Sequence, residues 1–137
     1  MAGAWYSNIH RVMGTHPCKK EQLMEEYTII LCTRLKRKVF ADKSVAERMS
    51  QLVTDAMPSG VYLHEFRIFP SALAFTATVS DGIPLNAVSY AVRKATSARI
   101  RSEFSRYEKM PSLWQRKYAV TDKCVKDLDG TEVDRLF

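Results

Sequence analysis

The stretch from Val61 to Phe69 alternates, with Val61, Leu63, Phe66 and Ile68 apolar and Tyr62, His64, Glu65 and Arg67 set between them. A period of two belongs to strands, because successive side chains point to opposite faces of a sheet. The phase slips at His64–Glu65, as a β-bulge would cause. Pro70-Ser71 then punctuates the chain, and ALAFTATV, from Ala72 to Val79, reads as another strand. The chain is therefore built on a sheet, and its other segments decide what covers that sheet.

Glu26 to Thr33 (EYTIILCT) is a short apolar run rich in β-branched residues and predicts a buried strand. From Ser44 to about Met57, Val45, Met49, Leu52, Val53 and Ala56 recur at helical spacing, with Ser44 as the expected N-cap. Pro58, Ser59 and Gly60 close that helix. Asp81-Gly82 signals a turn, and Pro84 suits the first turn of a long helix running to about Tyr107. Leu85, Val88, Val92, Ala95 and Phe104 form its apolar stripe, with most of its arginines off that stripe. Pro111 breaks the pattern, Trp114 to Val120 reads as a short fourth strand, and Gly130 to Phe137 as the start of a final helix.

Strand, helix, strand, strand, helix, strand is the order of the ferredoxin-like split βαβ arrangement. The expected class is α+β: an antiparallel sheet with helices on one face, plus a C-terminal helix. A length of 137 residues suits one domain. That domain is placed at 26–137, after an N-terminal extension, 1–25, whose Trp5, Tyr6 and Ile9 are apolar enough to dock on the domain or on a partner.

Several function classes fall away at this stage. No apolar run approaches the roughly 20 residues of a membrane span, and the first residues lack the pattern of a signal peptide. Three cysteines, Cys18, Cys32 and Cys124, are an odd number without CxxC spacing, which argues against a disulfide framework and a zinc finger. A cytoplasmic protein is expected. No GxGxxG, P-loop, Ser-His-Asp or HExxH pattern is present. The net charge of +6 fits a polyanionic partner. Arg34, Lys36, Arg37 and Lys38 fill four of the five positions from 34 to 38, and a second group runs through Arg93, Lys94, Arg99, Arg101, Arg106 and Lys109. Solvated faces and nucleic-acid contacts both account for such groups.

Four segments bear a family resemblance. YTIILCTRLKRKVF, Tyr27 to Phe40, resembles an aromatic-apolar strand followed by a K-Y-R-R-K-V-F-like run. EFRIFPSALAF, Glu65 to Phe75, resembles a strand leading into P-D-H-V-H-L. AVSYAVRKATSARIRSEF, Ala87 to Phe104, is similar to a helix with a K-G-x-S-A-R-x-L-x-x-E-F core, and LWQRKYAV, Leu113 to Val120, to L-W-x-x-S-Y-F-V. In this order and spacing, over roughly Tyr27 to Thr121, they resemble the IS200-like (REP-associated, HUH single-tyrosine) single-strand DNA transposases.

The resemblance implies a dimer that recognises DNA hairpins. It also implies a histidine pair on a strand holding magnesium or manganese, which polarises the scissile phosphate. A tyrosine on a late helix would attack the phosphorus. The chain departs from this pattern at each chemical position. The histidine pair falls on Ala72 and Ala74, with Leu73 between them and Ser71 before them. The tyrosine falls on Leu136, or on Phe137 if the alignment moves by one. Alanine has no lone pair for a metal, and neither Leu136 nor Phe137 has a hydroxyl.

The expectation is a catalytically inactive relative, without cofactor, that binds single-stranded or hairpin DNA as a homodimer, as a regulator or as a subunit of a larger assembly. The DNA-binding residues would be Arg34, Lys36, Arg37, Lys38, Arg93, Lys94, Arg99 and Arg101. Tyr62, Phe69, Phe75 and Tyr90 are the aromatic candidates for base stacking, with core packing as the competing role. Two alternatives stay open. One is a protein-interaction module that keeps the fold for dimerisation and anchors a partner through its extension. The other is an enzyme with a relocated metal site drawn from His10, His16, Cys18 and His64.

Overall fold

A computed structural model describes residues 9–11 and 25–137. The elements are β1 (Ile9–Arg11), β2 (Glu25–Thr33), α1 (Lys43–Asp55), β3 (Val61–Phe69), β4 (Ala72–Val79), α2 (Leu85–Glu103), β5 (Trp114–Thr121) and α3 (Gly130–Arg135). The sheet order is β1-β3-β4-β2-β5, and every neighbouring pair is antiparallel. The expected α+β split βαβ arrangement is present. A fifth strand joins it: Ile9 and Arg11, from the stretch read as an extension, lie opposite Arg67 and Glu65.

Strand parity divides the sheet into two faces. Ile29, Leu31, Leu73 and Phe75 point to the face covered by α1 and α2, where they form the main core with Phe40, Met49, Val92, Ile100 and Trp114. Ile30, Ala72 and Ala74 belong to the other face, where Val125, Leu128 and Val133 cover them in a second apolar cluster with Phe69. The C-terminal helix therefore lies across the sheet from α1 and α2. The expected slip at His64–Glu65 is there as a register shift in the β3–β4 pairing between Leu63 and Glu65.

Local chemistry explains most element ends. Asp42, not Ser44, caps α1: its Oδ1 accepts from the Ser44 amide at 2.9 Å and from the Ser44 hydroxyl at 2.7 Å. After α1, Gly60 has φ of +85°, a left-handed backbone that side chains rarely adopt, so the turn favours glycine. Helix α2 ends at Glu103 and not near Tyr107, because Phe104 turns extended (φ −120°, ψ 102°) and the chain continues as a 3-10 turn over Ser105–Tyr107. The buried stripe of α2 is Val88, Ser89, Val92, Thr96, Ser97 and Ile100. Ala95, expected on it, is exposed.

Two hydroxyl residues on that stripe, Thr96 and Ser97, serve as anchors. Trp114 Nε1 donates to Thr96 Oγ1, the Leu113 amide donates to Ser97 Oγ at 3.0 Å, and Thr96 Oγ1 donates to the Val92 carbonyl at 2.7 Å. Hydroxyls inside a core are tolerated when hydrogen-bonded, and here they fix the start of β5 against α2. Of the described cysteines, Cys32 is a free buried thiol. Cys124 is disulfide-bonded, which corrects the expectation drawn from the odd cysteine count. Among the described residues, no helix is long and apolar enough to cross a membrane.

Candidate nucleic-acid interface and the recess at the sheet end

The turn after β2 carries the first basic group. Residues 34–36 form a 3-10 turn in which Leu35 (φ 58°, ψ 22°) and Lys36 (φ 54°) are left-handed. The turn is anchored on both sides. The Arg34 amide donates to the Leu113 carbonyl at 2.9 Å and the Arg37 amide to the Arg34 carbonyl at 3.3 Å. The buried Thr33 hydroxyl donates to the Arg37 carbonyl at 2.6 Å. Arg34, Arg37 and Lys38 are exposed. Lys36 instead reaches the C-terminal helix, where its Nζ donates to the Asp134 carbonyl at 3.1 Å.

The second basic group divides. Arg93 and Arg101 lie along α2 beside the start of β5: Arg93 Nε donates to Ser89 Oγ at 3.1 Å, and Arg101 to Ser97 Oγ at 3.1 Å and to the Met110 carbonyl at 2.9 Å. With Tyr90, Lys94, Ser97, Ala98, Pro111 and Ser112 they line a recess of about 310 Å³. Arg99 is on another side of the helix. It pairs with Glu103 at 3.1 Å and lines a separate hollow with Leu52, Asp55 and Ala56.

A second recess, of about 260 Å³, is lined by Arg34, Arg37, Arg106, Lys109, Met110 and Pro111. It meets the first at Pro111. Arg34 and Arg37 thus share one surface with Arg93, Lys94 and Arg101, although some 60 residues separate the two groups in the chain. Arg106 and Lys109 belong to this surface and were not among the expected contacts. The signal for them was Pro111, whose break in the helical pattern turns the chain back past the β2 turn. Of the aromatic candidates, Phe69 and Phe75 are core residues at 3% and 0% exposure. Tyr62 and Tyr90 are exposed at 54% and 58%, and Tyr90 is the one in the basic recess, with Lys94 Nζ 5.8 Å from its ring centroid.

Ala72 and Ala74 lie on β4, opposite Cys32 and Ile30 of β2. Both are buried, at 1% and 0% exposure, beneath Val125, Leu128 and Val133. Arg67 holds this cover down: its guanidinium donates to the Leu128 carbonyl and stacks 4.8 Å from the Phe69 ring. Beside Ala72 opens a recess of about 310 Å³ lined by Cys32, Lys38, Pro70, Ser71, Thr131 and Asp134, among others. Burial pushes the Cys32 thiol above its ordinary range, with Lys36 pulling the other way. Leu136 is 37% exposed just beyond α3. The residues at Ala72 and Ala74 do not fit a divalent metal: two methyl groups in an apolar cluster offer no donor atom.

Of the residues in the relocated-site alternative, His64 has a described side chain. His64 is buried, hydrogen-bonded to the Thr78 hydroxyl, with Nε2 3.6 Å from the Glu26 carboxylate. His10 sits opposite Phe66 in the β1–β3 register, while His16 and Cys18 fall outside the described residues. Among the described residues, no three His, Cys, Asp or Glu side chains form a group that could hold a metal ion.

Comparison with known proteins agrees with this architecture. The structure is similar to a crystallographic structure of a candidate transposase from Deinococcus radiodurans R1, with a TM-score of 0.60 and 14% identity over 89% of this chain and 92% of that one. No curated protein matches the sequence. The family model described as "Transposase IS200 like" matches residues 22–129, a span running from just before β2 to Asp129, the N-cap of α3. With most of its length inside that match, the chain belongs to the IS200-like transposase family.

Proposed function

We propose that this family member no longer cuts or joins DNA and instead binds single-stranded or hairpin DNA, as a homodimer. The observation that carries the binding half is the junction of the two basic recesses at Pro111, with an exposed tyrosine in one of them. Clustered guanidinium and ammonium groups neutralise phosphates and release counterions, and an aromatic face in their midst accepts an unpaired base. Arg34, Arg37, Arg93, Lys94 and Arg101 carry this reading. Lys36, tied to Asp134, and Arg99, paired with Glu103, contribute less. Inactivity rests on Ala72 and Ala74, buried where the resemblance puts the histidine pair, and on Leu136 at the tyrosine position.

The test is binding to hairpin, single-stranded and duplex DNA at two salt concentrations, with magnesium or manganese present. Salt-sensitive, hairpin-selective binding without cleavage is the expected result. Arg37→Glu with Arg101→Glu should weaken binding to every DNA. Tyr90→Ala should weaken binding to unpaired DNA by about 1–3 kcal/mol, as loss of one base stack does. A covalent protein–DNA adduct would overturn the inactive reading. Absence of binding to all three DNAs would overturn the DNA reading and favour a protein-interaction module.

A further inference from the structure

Leu35 is the most exposed large apolar side chain among the described residues, at 75%. It also sits in a backbone conformation that disfavours it. Two consecutive non-glycine residues, Leu35 and Lys36, have φ of +58° and +54°. Each carries a conformational cost and persists only where the surroundings enforce it. Here they do. Thr33, Arg34, Arg37 and Lys36 are hydrogen-bonded to one another, to Leu113 before β5 and to Asp134 of α3. The fold therefore holds a leucine out in water, at a conformational cost, between cations on both sides.

We propose that Leu35 is an apolar wedge that packs against an exposed base face where paired and unpaired nucleic acid meet. This rests on the DNA-binding reading above and adds which structure is recognised and by what. In the neighbouring recess Arg34, Arg37 and Lys109 hold the backbone phosphates beside the wedge, with Arg106, ion-paired to Asp42, at its wall. The Tyr90 recess, adjacent to it at Pro111, receives the unpaired strand leaving the junction. A charged turn alone would track any backbone. An apolar tip gains only where a base face is uncovered, since inserting it into an intact stack carries an unstacking cost.

The experiment compares wild type, Leu35→Ala and Leu35→Gly, all as the full chain, on a hairpin with a single-stranded tail and on a blunt duplex of equal length. A 2-aminopurine is placed in the pair next to the junction. Both variants should lose about tenfold in affinity for the tailed hairpin, the scale of one misread base pair, and change little on the duplex. The wild-type protein should alter the 2-aminopurine fluorescence and the variants should not. Leu35→Gly relieves the positive φ, so its melting temperature should rise while its junction affinity falls. That pairing excludes misfolding as the cause. Unchanged junction affinity in both variants, while wild type and variants all bind, would overturn the wedge and leave the DNA reading standing. Failure of wild type to bind either DNA would overturn both.

Discussion

The indole of Trp114 donates to the hydroxyl of Thr96 at 2.9 Å, joining β5 to α2 inside the core, where the two residues are 2% and 1% exposed. One turn of neighbouring residues extends this seam outward, through Ser97 to Leu113 and to Arg101. The orientation of the basic recess on α2 is thus set by buried hydroxyls. Thr96→Val should leave the indole N–H without a partner and destabilise the fold by about 1–3 kcal/mol. Urea unfolding would measure it, and a change within experimental error would mean the hydrogen bond contributes nothing net.

Placing histidines on β4 should not by itself produce cutting chemistry. Ala72→His with Ala74→His puts two large polar rings beneath Val125, Leu128 and Val133. Overpacking of this kind costs about 1–3 kcal/mol, and unsatisfied ring nitrogens add to it. The double variant should unfold at lower urea and form no covalent DNA adduct, because Leu136 still offers no nucleophile. An adduct on denaturing gels would show that another residue attacks.

Acid should loosen the pairing of α1 with α2. Arg48 and Glu103 meet through two parallel hydrogen bonds, at 2.6 and 2.9 Å. The Arg48 guanidinium, with help from Arg99, holds the Glu103 carboxyl below its ordinary value of 4.5, against the opposing effect of desolvation. A depressed carboxylate contributes stability above its unfolded pKa, which is lost as pH falls through the folded value. Stability should therefore decline on acidification below about pH 4.5, and Glu103→Gln should flatten that part of the profile. The pair is solvent-exposed, so salt should also weaken it. Parallel profiles for wild type and variant would exclude this origin.

Much of the fold was legible because its signals are local. The alternation of Val61–Phe69, the slip at His64–Glu65 and the run ALAFTATV reflect pleat geometry, which acts between adjacent residues. The cap of α1 was misread by two residues because Asp42 and Ser44 both have capping side chains, and only the path of the turn selects Asp42. Ala95 was misplaced on the α2 stripe because hydroxyls at Thr96 and Ser97 look polar in sequence yet are buried as hydrogen-bond partners of β5.

The order of elements from β2 to α3 and the family resemblance could be read from residue patterns alone, and the absence of a metal donor at Ala72 and Ala74 and of a hydroxyl at Leu136 from the atoms those side chains have; β1 could not. Which cations share a surface was settled by the fold. It separated Arg99 from Arg93 and Arg101 and set Arg106 and Lys109 beside Arg34 and Arg37. It also exposed Leu35 in a left-handed turn. Such neighbours meet only after antiparallel pairing brings β5 alongside β2 and α2 packs across them, and hydrogen bonds from distant segments are what hold the turn in a conformation its own residues disfavour.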